Sequence, residues 1–444
     1  MKPNNPDKTS LASAFLLLLF AAGLGLAILL VKARSAFQFS VPILLPGEGL
    51  SVVLPTGPGW KALSEWAYEQ DNSFALVATY SMQGSPPAEV RWQYKLADRP
   101  ISPQALLEQI ARQFNGPVSI IQTTSGPLSF SHILLFSRVQ GEQILLGAAV
   151  PQEGRLLLLQ LKSYAEHSYL TDLFEQLAAR VQFHPDPRRQ VGQRLFEDLT
   201  SRLYPQWLET LARRAEIFLL SPVSGRPIGY SKTSVVKSET NLAAAFEQEQ
   251  MFRQNDSPQS LSRFESAQNL SEFVWITARR SRRGPLQTQL RRLSDGSVQI
   301  EDSYRRSTVC WPAPDAVPEI LLPLTARAML DAEKSEAVLD IIAAAGQVVP
   351  VLVSRSEPQK TASLPDQTKY AVRIQFLHHP DNYEEYYFDA EQTLLARLEA
   401  LPGQPARLWR RGGETDIRRL LPSFTKPDQI VLKLTPSEMI VFQK

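Results

Sequence analysis

The chain has 444 residues, with 47 Lys and Arg against 45 Asp and Glu, a formal net charge of +2, five histidines and a single cysteine. So balanced a charge argues against the broad basic footprint of a nucleic-acid-binding protein, and one cysteine rules out an intramolecular disulfide. A hydrophobic share of 43 % with 33 prolines describes a folded, turn-punctuated chain long enough for two or three domains.

The first element in chain order is "LASAFLLLLFAAGLGLAILLV", Leu11 to Val31, a run free of charge and amide that Lys2, Lys8, Lys32 and Arg34 bracket. As a helix it would be about 31 Å long at about 1.5 Å per residue, the hydrocarbon thickness of a bilayer. A cleaved secretory signal has a shorter apolar core, and here cleavage would have to occur beside Lys32 or Arg34. The run therefore predicts an uncleaved, single-pass transmembrane helix at 11–31, whose partner is the lipid bilayer. The flanking cations tie, so orientation follows from the short tail: residues 1–10 cytoplasmic, a stalk at 32–46, and the bulk outside the cytoplasm in the cell envelope.

A first module is expected over 47–184. Strands "FALVATYS" and "EVRWQYKLA" lead into "ISPQALLEQIARQFNG", where Ser102 caps, Pro103 opens a helix, and Leu106, Leu107, Ile110, Ala111 and Phe114 make one stripe. Strand-like segments follow, "ILLGAAVP" and "RLLLLQLKSYA" being joined by the turn "QEG". A second helix, with Leu170, Leu173, Phe174, Leu177, Ala178 and Val181 at helical spacing, ends the unit. This order is that of an antiparallel α/β sandwich. In its pattern of helix, apolar hairpin and closing helix it resembles the PsbP-like family, which implies an extracytoplasmic binding or accessory module and no reaction.

"FHPDPRR", Phe183 to Arg189, is a linker in composition, and it opens a linker and helical connector over 185–219 that Pro205 splits or kinks. From 220 to 444 the chain is rich in strands, with a helix near "VPEILLPLTARAML", a turn at Ser294-Asp295-Gly296, another at Ala390 and Glu391, and a last strand "IVLKLTPSEM". "NLAAAFEQEQMFRQ" fits either a helix or a long strand. Many antiparallel strands with one helical insertion predict a large curved sheet. With "RPIGY" opening and "YYFDAEQTLLARLEA" near the end, the order resembles the lipoprotein-carrier (LolA/LppX-like) fold, whose concave sheet implies an apolar ligand. The expected fold class is thus α+β: a transmembrane helix, an α/β sandwich, and a β-rich curved-sheet module with few helices.

Candidate sites are few. Arginine pairs recur on consecutive strand candidates: Arg279 and Arg280, Arg282 and Arg283, Arg291 and Arg292, Arg305 and Arg306. Alternation along a strand would send one member of each pair to each face, and stacked guanidinium groups grip phosphate or carboxylate. Anionic lipid or an envelope polymer is the matching partner, while solvated strand ends near Glu301 and Asp302 explain the same letters. "LHHPDNYEEYYFDAE" gathers His378, His379, Asp381, Glu384, Glu385 and Asp389, but adjacent histidines on a strand diverge and a hairpin with a charged outer and aromatic inner face suffices. No nucleophile elbow, phosphate loop, zinc-helix signature or dinucleotide turn is present, so no metal, cofactor or catalytic residue is expected. The sequence predicts a non-enzymatic binding or scaffold protein, with a carrier of acyl chains as the alternative. An unrecognised hydrolase would need carboxylates or a Ser/His pair converging in a cleft.

Overall fold

The computed structural model describes residues 37–420 apart from 70–72, 84, 98–100, 114–119, 124–125, 137–141, 165–166, 222–226, 241, 253–259, 282–283, 303–306 and 359–363. The 11–31 stretch, "IVLKLTPSEM" and Phe114 of the expected first helix lie outside the described residues. Among those described, no helix is long and apolar enough to cross a membrane. The expected α+β class is corrected on its balance, and the transmembrane helix it included has no counterpart among the described residues. The described residues are mostly β, with 28 strands against six α-helices, none longer than 12 residues. One cause is "NLAAAFEQEQMF", where good helix formers are overridden because the segment pairs on both edges as strand Ala244–Phe252.

The first module is built on an eight-stranded antiparallel sheet with helices on both faces. Helix α1 (Pro103–Ala111) starts as expected: the Ser102 side chain accepts the Ala105 N–H at 3.2 Å and Pro103 occupies the first turn. Its Leu107 and Ala111 press on Ile133, Leu146 and Leu158. Helix α2 (His167–Ala178) places Leu170, Leu173 and Phe174 against Leu157 and Leu159, the neighbours of Leu158 that point to the other face of strand Arg155–Ser163. Gly147 lets the two layers approach, since a Cβ there would lie 2.3 Å from the Phe174 ring.

In the second module one 15-stranded sheet runs almost in chain order around a circle. Its first strand, Glu216–Ser221, pairs with its last, Arg407–Arg411. From there one wing runs outward to Ser307–Cys310 and the other runs outward to Val317–Pro318, so the two edge strands are neighbours in sequence. The wings also meet in space. A Cβ on Gly346, in the turn after strand Glu336–Ile342, would be 2.8 Å from Ile300 of the opposite wing. Arg292 closes the seam by donating to the carbonyls of Pro314 at 2.9 Å and of Ala313 and Ala316 at 3.3 Å, while burial lowers its pKa.

Inside this curl stand the helices. The segment read as a connector forms α3 (Pro187–Asp198) and α4 (Tyr204–Arg213), joined by a π-turn at Leu199–Leu203. The wide turn falls where Pro205 lacks an N–H to continue a regular helix, which is the expected break. Leu195, Leu199, Leu203 and Tyr204 join Leu322, Met329 and their neighbours on α5 (Leu322–Asp331) in a core shared with both wings. Gly192 of α3 sits directly on strand Glu336–Ile342: a Cβ there would lie 2.1 Å from the Val338 carbonyl oxygen.

The modules are joined by a buried charge network. Arg155 of the first pairs with Asp340 of the second. Arg189 on α3 donates to Glu48 at 2.8 Å, to the Gly47 carbonyl at 2.7 Å and to Asp340 at 3.2 Å, and the Tyr94 hydroxyl donates to Glu48 at 2.7 Å. Burial opposes the ionisation of Asp340, yet Arg155 and Arg189 outweigh it and hold its carboxyl below the ordinary range.

Candidate functional site

The inner face of the first wing changes character within two residues. Across five neighbouring strands Phe246, Phe264, Trp275, Leu290 and Ile300 stand in register as one apolar row, packed on the helices. The next inward row, again in register, is Thr233, Gln248, Ser262, Thr277 and Thr288. The third brings Gln250, Ser260, Arg279 and Leu286 together. Strand alternation thus writes two polar rows onto the concave side of a sheet whose concave side is otherwise core.

These rows line a cavity of about 430 Å³. Within these rows several side-chain contacts are long: Ser262 Oγ to Thr277 Oγ1 at 3.4 Å, Ser260 Oγ to Gln250 at 3.4 Å, Gln250 Nε2 to Gln248 at 3.4 Å, and Gln248 Nε2 to Thr233 Oγ1 at 3.5 Å. Good bonds of these kinds lie near 2.8–3.0 Å, so the wall keeps unused hydrogen-bonding capacity. Trp275 also lines the cavity, and its buried indole N–H finds no acceptor among the described residues.

The facing wall comes from hairpin Tyr383–Phe388 and Leu394–Ala400 and from the turn before α5. Glu384 stands directly across from Glu399, and Tyr386 directly across from Arg397. Arg397 pairs with Glu399 at 2.7 Å, and the Tyr386 hydroxyl donates to Glu384. Glu319 accepts the Ala344 N–H at 2.8 Å. Burial pushes the Glu384 carboxyl up to about 7, with Arg397 opposing and Glu399 adding to the rise. Burial raises Glu319 as well. Behind Arg397, in an adjoining void, burial also raises Glu216, with Arg411 opposing.

The eight arginines singled out in the sequence do not share one place. Arg279 is exposed on the cavity lining, whereas Arg292, on the same face but six residues along the paired strands, is about 20 Å away at about 3.3 Å per residue. There it serves the seam. Arg291 is exposed on the opposite face, in register with Val274. Arg280 lies in strand Phe273–Ser281, and Arg282, Arg283, Arg305 and Arg306 lie outside the described residues.

His378 packs against Tyr68 and Phe74 of the first module at ring distances of 4.9 and 5.8 Å, and burial, with His379 adding, lowers its pKa to about 4. It is a contact of the module joint. Among the described residues no three His, Cys, Asp or Glu side chains are placed so as to hold a metal ion together. The charged-outside hairpin expected around Tyr383–Phe388 is modified: Glu384 points inward with Tyr386, while Glu385 is buried against Arg373 at 3.1 Å on the other face. Cys310 is buried, as a small packed residue. Of the carboxylates at the cavity the sequence singles out only Glu384; Glu319, Glu399, Glu216 and the polar rows form no local motif.

No family model matches the chain, and no curated protein does. Among solved structures the chain is similar to a beta-barrel-like protein of a domain of unknown function, DUF1849, from Brucella abortus. The identity is 10 % and the TM-score 0.32, over 45 % of this chain and 93 % of that one. A likeness at that level carries no argument, and the site is read from its own geometry.

Proposed function

We propose that the second module is a binding module for a polar, hydroxyl-bearing small molecule, held in the cavity on the concave side of its sheet. The observation that carries this is the pair of in-register polar rows, Thr233 to Thr288 and Gln250 to Arg279, where the fold would otherwise place core. Hydroxyl and amide groups that bond one another only at 3.4–3.5 Å are free to turn toward ligand hydroxyls that approach from the cavity side.

The lipoprotein-carrier likeness suggested an acyl chain as the alternative occupant. A curved sheet over helices with a cavity of this size supports a carrier, but an apolar chain would leave the hydroxyls and amides of the wall without water or partner, at about 1–3 kcal/mol each. The polar ligand is therefore favoured. Its test is native mass spectrometry and calorimetric titration of the full-length protein with neutral monosaccharides and disaccharides, and with palmitate as the contrast. Sugar binding that Thr277→Val/Thr288→Val abolishes, with sugar recovered intact, is expected. Palmitate binding alone would overturn the reading, and cleaved sugar would replace it with hydrolysis by the facing Glu384 and Glu399.

Association with a bilayer through residues 11–31, with anionic lipid or an envelope polymer nearby and the modules outside the cytoplasm, is proposed on the hydropathy of that stretch alone. Recovery of the protein in the carbonate-washed membrane fraction tests it, and release into the soluble fraction refutes it.

A further inference from the structure

Within the binding reading just given, on which it rests, we infer that the ligand carries a positive charge: a hydroxylated ammonium compound of the amino-sugar type, its ammonium seated among Glu319, Glu384 and Glu399. The charge count of the inner wall leads there. Three carboxylates face the cavity, and a fourth, Glu216, lies behind it. The cation sheltered among them is Arg397, which is already committed to Glu399 at 2.7 Å. Glu319 has one backbone N–H, and Glu384 has one tyrosine hydroxyl. A sheltered carboxylate with so few partners is costly to keep ionised, and an ammonium with three N–H donors supplies both the missing charge and the missing bonds.

A second observation is independent of the acids. The Trp275 indole N–H, in a side chain only 3 % exposed that lines the same cavity, lacks an acceptor among the described residues. A ligand hydroxyl supplies one. Together with the rows of Thr, Ser and Gln, this calls for a body that both donates and accepts, and the carboxylates call for a cationic head. The other cation of the lining, Arg279, is exposed, so it bears on what enters rather than on what the sheltered wall holds.

The test is a charge series on one scaffold, titrated calorimetrically into the full-length protein: glucosamine, glucose, N-acetylglucosamine and glucuronate. Binding of glucosamine at least tenfold tighter than glucose, with the difference erased in Glu319→Gln/Glu384→Gln, is expected. Both substitutions keep shape and hydrogen-bonding capacity, and circular dichroism checks that the variant is folded. If Glu319→Gln/Glu384→Gln does not fold, Glu384→Gln alone must reduce the preference at least threefold.

Equal binding of glucose and glucosamine, abolished by Thr277→Val/Thr288→Val, would overturn the cationic inference and leave the binding reading standing. A preference for glucuronate would also overturn it, pointing to Arg279 and Arg397 instead. Binding of nothing in the series, or binding that the wall variant leaves untouched, would remove both.

Discussion

Glu384 offers the sharpest test of the site, because its charge state affects the stability of the fold even with nothing bound. Its carboxyl lies at about 7 in the folded chain against an ordinary 4.5, driven by burial, with Arg397 and the Tyr386 hydroxyl opposing and Glu399 and Glu319 adding to the rise. An acid raised on folding is protonated at no cost below pH 4.5. It then loses stability steadily as the pH climbs to about 7, because the unfolded chain gives up the proton first. At about 1.4 kcal/mol per pH unit the loss is on the order of 3 kcal/mol as a ceiling, which water in the cavity reduces. Glu384→Gln keeps the shape and cannot ionise, so its stability should hold flat where the parent declines. Urea denaturation of both proteins at pH 5, 6, 7 and 8 measures the difference, with an expected gain of about 1–3 kcal/mol for the variant at pH 8 and none at pH 5. Parallel stability curves would show that the carboxyl is not confined as described, and the electrostatic reading of the cavity would fall with it.

Other consequences follow from the same structure. Glucosamine binding should tighten as the pH rises toward about 7, by less than tenfold per pH unit, since only ionised Glu384 attracts an ammonium, and weaken again once the ligand's own amine loses its proton; titrations at pH 5, 6 and 7 measure the rise. Asp340→Ala should cost about 3–5 kcal/mol in chemical denaturation by stranding Arg155 and Arg189 in the module joint. Because that carboxyl lies below its ordinary range, the joint's contribution should hold down to about pH 4 and fade only in stronger acid, which the acid limb of the same curves reads. Gly192→Ala, a change that stabilises an open helix by about 1 kcal/mol, should instead destabilise by more than about 1 kcal/mol, because the methyl meets the Val338 carbonyl. Thr277→Val/Thr288→Val should leave stability unchanged or raise it by up to about 1 kcal/mol, since these hydroxyls make long bonds in the folded chain; a clear loss would make them structural.

What the sequence disclosed was local. Ser102 and Pro103 announce α1 because a cap and a first-turn proline act within one turn, and "QEG" announces its hairpin because Gly154 takes a φ of +73° between paired strands. Pro205 announces a break because its missing donor acts where it stands. The site is a different kind of object. Thr277 and Thr288 become a pair only once strand register is fixed, and Glu384 meets Glu399 only across a hairpin whose register slips by one at Tyr387 and Phe388. Read singly, Gln248, Ser262 and Thr277 resemble the solvent side of strands. Nothing local says that their face turns inward, because that depends on the closure of the sheet through Glu216–Ser221 and Arg407–Arg411. The helical stretch after Asp186 misled for the same reason: its amphipathic stripe is plain, but not that the partner is the inside of a curled sheet.

The cavity follows from how these parts limit one another. Helices α3, α4 and α5 fill the curl as far as the row from Phe246 to Ile300, where large side chains meet Leu203, Tyr204 and their neighbours. Tyr204 anchors the helices on the side of that row away from the cavity, its hydroxyl bonded to Ser266 at 2.8 Å. Beyond the apolar row the sheet continues while the helices give way, with the first turn of α5 at Pro323 at the cavity's edge, leaving a wall that apolar residues would make an aggregation hazard and polar residues keep wettable. The helices are in turn fixed from outside the module, since α3 is clamped by Gly192 against Val338 and by Arg189 to Glu48 and Asp340. The first module therefore contributes to the site without touching it, by neutralising a carboxylate on the strand against which α3 rests. Arg155→Met isolates that contribution. It leaves Asp340 with Arg189, so it should cost less stability than Asp340→Ala, and by loosening the seat of α3 it should weaken ligand binding severalfold in the same calorimetric titration. Unchanged binding in a measurably destabilised Arg155→Met protein would show that the joint holds the modules together and does nothing for the cavity.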